Sequence, residues 1–273
     1  ALIDAARAPD YPAEIGLGGA NQAAADGLTR AAEAGIATAV IDHRGFPDRQ
    51  RFRQDLASVA AAADVVEIGV PFTDPMADGM TIQRASFAAL RGGFTLPWLL
   101  QELGQMSPRP AAPVLLMSYL NPLLAFGFDA LPEAALRAGV SGFIIPDLPY
   151  EESGGIRSAL DRAGLALVQM VTPVTPPARL RMLCEASGGF VYAVTMTGTT
   201  GRSVTVPDEV LDYMDRVRAV SPIPVCAGFG IRSREHVARM AGHVDGVVVG
   251  SALVEVLERG EDPAAFLRTL KGE

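Results

Sequence analysis

The chain has 273 residues, 49% of them hydrophobic and 20% charged, with a formal net charge of −8. Such a length and hydrophobic share suit one sizeable core. Scattered Lys and Arg residues on an acidic chain exclude a nucleic-acid groove or a patch for anionic lipid. The two cysteines, Cys184 and Cys226, lie far apart without ligand spacing and read as reduced packing thiols. No segment approaches a membrane span and the N-terminus lacks a signal-peptide pattern, so a cytoplasmic protein is expected.

Residues 1–22 are rich in Ala, Gly and Pro without a period, and are expected to form a loosely attached leader. Residues 23–273 are expected to form a single domain. Ala23–Ala34 predicts a helix that Gly35 closes. Apolar runs of strand length then recur at Ile36–Ile41, Val65–Ile68, Val114–Met117, Gly142–Ile145, Leu165–Val171, Phe190–Thr195, Ile223–Ala227 and Gly246–Val249. Amphipathic stretches lie between most of them: Arg49–Ala62, Thr81–Leu90, Leu131–Ala138, Ser153–Ala163, Pro177–Glu185, Pro207–Val220 and Ser233–Met240. Alternation of this kind means parallel strands joined by helices. Eight units favour a (β/α)8 TIM barrel with its active site at the C-terminal face of the strands. A doubly wound open sheet is the rival, but no glycine fingerprint follows the first strand.

The second strand is interrupted by Glu67, a carboxylate in an apolar run where desolvation is costly and packing gives no reason for it. The loop after it carries Thr73, Asp74 and Asp78. Glu67 and Asp78 in unlike settings suit proton transfer, one dry and raised in pKa, the other wetter and ionised. The competing account is an N-capping Asp and a strand-end Glu satisfied by backbone amides, and spacing alone does not choose between them. Later strand ends collect glycines: the Thr197-Gly198-Thr199-Thr200-Gly201 loop after strand six, Gly228-Phe229-Gly230 after strand seven, and Gly250-Ser251 opening the helix Ala252–Glu258. Glycines and a helix N-terminus admit an anion, and phosphate at the last loops is a recurring barrel arrangement. Asp147 either caps a turn or orients a site residue. Tyr192 is a core aromatic or aims a hydroxyl at the cavity, depending on register. His236, His243 and Trp98 read as surface or packing residues, and Ser251 lacks a nucleophile setting.

The run Val66-Glu67-Ile68-Gly69-Val70-Pro71-Phe72-Thr73-Asp74-Pro75-Met76-Ala77-Asp78-Gly79, with Thr81-Ile82-Gln83, closely resembles the signature of the tryptophan synthase α subunit family. The likeness continues through Met117-Ser118-Tyr119-Leu120-Asn121-Pro122, Ile145-Pro146-Asp147-Leu148-Pro149, Gly228-Phe229-Gly230-Ile231 and Gly246-Val247-Val248-Val249-Gly250-Ser251. The resemblance implies a TIM-barrel lyase of tryptophan biosynthesis. Such a lyase cleaves indole-3-glycerol phosphate to indole and glyceraldehyde 3-phosphate by a retro-aldol reaction. It further implies that Glu67 protonates indole C3 and takes the glycerol hydroxyl proton, while Asp78 accepts a hydrogen bond from the indole N–H. Thr200 would meet the Asp78 loop in a closed form. Amides of Gly201, Gly230, Gly250 and Ser251 would hold phosphate, and Met117, Tyr119, Tyr192 and Phe229 would line the indole pocket. The family needs no metal or cofactor in this subunit. Pyridoxal phosphate belongs to a partner β subunit in an αββα heterotetramer, which receives indole through a tunnel.

The departures are specific. Asp42, His43 and Arg44 stand where the family shapes its indole pocket, and Met80 stands where Pro is usual. Outward-facing loop charges are the plainer account of the first three, since barrel-top loops vary freely. Two other readings follow: a divergent stand-alone lyase of the same fold acting on indole-3-glycerol phosphate or a related aryl-glycerol phosphate, or a non-catalytic paralogue.

Overall fold

A computed structural model of the chain describes residues 17–20 and 37–40 as backbone, and residues 49–195, 206–228 and 230–273 in full. The helix expected at Ala23–Ala34 and the residues Asp42, His43 and Arg44 lie outside the described residues. Two short strands, β1 (Leu17–Ala20) and β2 (Ala37–Val40), pair in parallel with each other. The other strands are β3 (Val66–Gly69), β4 (Val114–Met117), β5 (Val140–Ile144), β6 (Ala166–Val171), β7 (Val191–Val194), β8 (Val225–Gly228) and β9 (Gly246–Val248). These seven form one parallel sheet in strict chain order. Seven of the eight predicted strands therefore join as the alternating pattern requires. The first predicted strand is present as β2, but its partner is β1 rather than β3. The Leu-Gly-Gly-Ala sequence of β1 has two glycines and no alternation, so the residues carry no strand signal.

Among the described residues the helices are α1 (Arg49–Ala60), α2 (Met80–Arg91), α3 (Leu96–Gly104), α4 (Leu120–Phe126), α5 (Leu131–Ala138), α6 (Gly154–Arg162), α7 (Pro177–Ala186), α8 (Asp208–Val220), α9 (Arg234–Met240), α10 (Ser251–Glu258) and α11 (Pro263–Lys271). The sheet is apolar on both faces, as parallel strands under a helical layer must be. One face points into the lumen and joins Leu115, Ile144, Val168 and Tyr192 in a small cluster. The other packs under the helices in two larger clusters, around Leu116, Phe143 and Leu167 on one side and Val191, Val225 and Ala227 on the other. The helical layer links the last units back to the first. Helix α10 packs on α2 and α11 on α1, the second contact reinforced by a Lys271–Asp64 ion pair of 3.0 Å.

One charge is buried in the helical layer away from the lumen. Glu102 of α3 has no exposed side-chain surface, and its Oε2 receives Arg53 Nε and Nη2 at 3.0 and 2.7 Å. Arg49 lies 3.3 Å from Oε1. Both arginines come from α1, so one carboxylate staples α1 to α3. Since hydrogen bonds to charged groups contribute more than neutral ones, Glu102→Gln is expected to lower stability by ~1–3 kcal/mol in urea unfolding while leaving the lumen unaltered.

Candidate active site

Glu67 lies in the middle of β3, paired in register with Leu115. Leu115 faces the lumen, so Glu67 does too. The residue is half-buried, yet its Oε2 is fully covered and has no hydrogen-bond partner among the described residues. Burial pushes the Glu67 carboxyl up to about 7, and the negative charge of Asp78 adds to the rise. Asp78 stands at the end of the loop between β3 and α2. Burial raises its pKa as well, and a hydrogen bond from the Tyr119 hydroxyl (3.1 Å to Oδ2) opposes that rise. The capping alternative does not describe this geometry: Gly79 is the N-cap of α2, without a side-chain cap.

Several contacts hold the Asp78 loop in place. Tyr119, at the end of β4, is buried; its hydroxyl accepts the Ala77 N–H at 2.8 Å as it donates to Asp78. Its ring lies 5.4 Å from that of Phe72, whose backbone is fixed in both directions by the Ser86 hydroxyl, at 3.0 and 3.2 Å. Burial first, then the Asp78 charge against the backbone bond, pushes the Tyr119 hydroxyl up to about 12, so it remains a donor. Gln83 of α2 donates its side-chain amide to the Asp78 carbonyl at 2.8 Å. Asp147 accepts the Leu120 N–H at 2.8 Å, which fixes the chain immediately after Tyr119.

Tyr192 is paired with Met170 and Cys226 and belongs to the lumen cluster. Burial, then the nearby Glu67 charge, raises its hydroxyl. A Cβ at Gly228 would stand 2.3 Å from the Tyr192 hydroxyl, so glycine there is what lets the ring reach across β8. Met117, at the lumen end of β4, packs against the same cluster. Thus Glu67, Asp78, Tyr119, Met117 and Tyr192 are gathered at one end of the sheet, around its lumen.

The anion candidates sit at the neighbouring strand ends. Gly228 and Val248 pair at the ends of β8 and β9, which brings the loops that follow them side by side. Gly230 has φ +84°, a conformation that favours glycine, and is exposed. Gly250 is exposed and N-caps α10, and Ser251 is its first residue. Thr200, Gly201 and Phe229 lie outside the described residues. His236, read as a surface residue, places Nδ1 3.2 Å from the Gly230 carbonyl. Among the described residues, no three His, Cys, Asp or Glu side chains gather as metal ligands would.

Fold and site together define a parallel β/α barrel protein whose lumen holds a dry carboxyl on β3 and a wetter one on the loop after it. Comparison with known proteins narrows this further. The family model for the tryptophan synthase alpha chain matches residues 29–271. The tryptophan synthase alpha chain of Solidesulfovibrio magneticus is 44% identical over 229 residues, 84% of this chain and 90% of that one. That of Bacillus cereus is 44% identical over 226 residues, 82% and 86% of the two chains. Among solved structures, the Pyrococcus furiosus tryptophan synthase α2β2 complex matches with a TM-score of 0.77 at 33% identity, covering 84% of this chain and 95% of that one. Tryptophan synthase from M. tuberculosis matches with a TM-score of 0.74 at 36% identity, covering 84% and 88%. The chain belongs to the tryptophan synthase alpha chain family, lyases that cleave indole-3-glycerol phosphate.

Burial of Glu67 also sets a pH dependence of stability. Its folded pKa of about 7 lies above the ordinary 4.5, so the folded state holds a proton that the unfolded state releases between those values. Stability from this group is therefore full below pH 4.5, falls as pH rises, and is lost above about 7. Glu67→Gln removes that loss, and thermal melts at pH 8 are expected to show the variant more stable than wild type by up to ~3 kcal/mol, with the gap closing towards pH 5.

Proposed function

We propose that Glu67 and Asp78 are the acid–base pair that cleaves indole-3-glycerol phosphate in this protein. The observation that supports the pairing is the covered Glu67 Oε2, without a hydrogen-bond partner among the described residues, in a lumen that also receives Asp78. With its pKa near 7, Glu67 holds a proton at neutral pH and can deliver it to indole C3. The ring then becomes an indolenine, an electron sink for the bond to the glycerol chain. The same carboxylate, now ionised, takes the proton of the adjacent hydroxyl as the carbon–carbon bond breaks. The hydroxyl carbon becomes the aldehyde of glyceraldehyde 3-phosphate, the bond electrons restore indole, and Glu67 ends protonated as it began. Asp78, hydrogen-bonded to Tyr119, accepts the indole N–H and stabilises the positive charge that develops there. Amides at Gly230, Gly250 and Ser251, with Gly201, hold the phosphate, and Met117, Tyr119, Tyr192 and Phe229 surround the ring.

This subunit is proposed to need no cofactor of its own, with pyridoxal phosphate residing in a β subunit. Large apolar side chains stand exposed on the segments that follow β3, β4 and β6: Met76 at 81%, Leu124 at 50% and Val174 at 76%. A partner seated over the mouth of the barrel would cover them, and the P. furiosus relative is an α2β2 complex. The cytoplasm is the compartment we assign: Cys184 and Cys226 are free thiols, and among the described residues no helix is long and apolar enough to cross a membrane.

The assignment is tested by indole release from indole-3-glycerol phosphate, with and without added β subunit. The kcat/KM profile is expected to be bell-shaped, with an alkaline limb near pH 7 from Glu67 and an acid limb from Asp78, shifted upward from an ordinary aspartate by its burial. Glu67→Gln is expected to lose ~10²–10⁴-fold in kcat. A wild-type protein that releases no indole under either condition overturns the reading.

A further inference from the structure

Glu255, on α10, is a point where three parts of the site meet. Its Oε1 accepts the Thr81 hydroxyl at 3.3 Å, and its Oε2 is paired with the Arg232 guanidinium. Thr81 lies in the first turn of α2, three residues after Asp78. Arg232 lies two residues after Gly230. Glu255 itself lies four residues, about one helical turn, after Ser251. The arrangement is a ladder: Thr81 and Arg84 on α2 face Glu255 and Glu258 on α10, each pair separated by one turn. The outer rung is the two-pronged Arg84–Glu258 pair, at 3.1 and 2.5 Å. Only the inner rung also grips the loop after β8.

We propose that Glu255 is a positioning residue that couples phosphate seating beside Gly230 and Gly250-Ser251 to the placement of Asp78. The inference rests on the phosphate reading given above. A phosphate that draws on the Gly230 and Ser251 amides acts on the Arg232 segment and on the first turn of α10, and Glu255 is joined to both. Its other oxygen bears on Thr81. The first turn of α2 is joined in turn to Asp78, because Gln83 donates its side-chain amide to the Asp78 carbonyl and its N–H to the Gly79 carbonyl at 3.0 Å. The chain of contacts from anion to catalytic carboxylate is thus continuous, and its middle link is a single side chain. Glu255 keeps 27% of its side-chain surface exposed and Arg232 44%, so solvent screens the pair. The coupling accordingly belongs at the low end of the usual range, about fivefold.

Hydrogen–deuterium exchange with glycerol 3-phosphate as the probe separates the outcomes without requiring catalysis. In wild type the ligand is expected to slow exchange at residues 230–232 and 250–254, and also at 77–83. In Glu255→Ala the first two segments remain protected and the third does not. Glu258→Ala, which removes only the outer rung, keeps the full pattern. In turnover, Glu255→Ala is expected to lose about fivefold in kcat on indole-3-glycerol phosphate but to match wild type on phosphate-free indole-3-glycerol. A cycle with Arg232→Ala is expected to be non-additive. Equal protection of 77–83 in wild type and Glu255→Ala, or equal losses on both substrates, overturns the coupling. Absence of protection at 230–232 and 250–254 in wild type removes the phosphate reading itself, and the coupling with it.

Discussion

A carboxyl oxygen in the lumen of a parallel sheet, covered and without a hydrogen-bond partner among the described residues, is an expensive thing for a fold to keep. The barrel tolerates it by letting the group hold a proton near neutral pH, which removes the charge that burial penalises. Everything nearby is consistent with that constraint. Three of the neighbouring lumen positions, Leu115, Ile144 and Val168, are apolar and offer the carboxyl no hydrogen bond. The charge of Asp78 raises its pKa further. A strand is also the right place for such a group, because backbone pairing on the β4 side fixes its direction without help from its own side chain.

Asp78 shows the opposite solution with the same functional group. It sits on a loop, half in solvent, and is held by hydrogen bonds rather than by enclosure. Tyr119 connects the two settings. It stands at the end of the strand paired with β3, and its hydroxyl takes the loop's Ala77 amide while giving its proton to Asp78. The raised pKa of the phenol keeps it a donor throughout the range in which either carboxyl titrates. The difference between the two acids therefore comes from the secondary structure that carries each one. Strand placement gives the dry acid, and a loop anchored to the next strand gives the wetter one.

Much of this was legible in the residues. Apolar runs bounded by Gly and Pro located β3 to β9, because a strand buried on both faces leaves an uninterrupted apolar signature. Glu67 stood out for breaking one. Helices from α1 onward followed from their 3.6-residue period, except α3, α4 and α11. In α4, Leu-Asn-Pro-Leu-Leu-Ala-Phe is too short and too uniformly apolar to show a period. The other two did carry capping signals: Thr95 accepts the Trp98 N–H ahead of α3, and Asp262 that of Ala264 ahead of α11, each followed by an early Pro. The pairing of β2 with β1 was hidden by the glycines of β1. The Tyr119 hydroxyl bonds were not legible either, since they depend on a loop folding back across 41 positions of sequence.

Glu255 marks a different limit. It is one acidic residue on an amphipathic helix, and nothing in its local sequence separates it from Glu258 one turn later. The distinction arises only when α10 is packed on α2 and the loop after β8 arrives beside them, so that one carboxylate has two partners from two elements and the other has one. Residues that bond substrate are visible because their chemistry is unusual for their position. Residues that connect one part of a site to another have ordinary chemistry, and their role lies in which elements they join. In a barrel this matters especially, because each βα unit contributes its own loop and neighbouring loops share little backbone bonding. Side chains that bridge the outer helices are then the available means of making one loop respond to a ligand held by another.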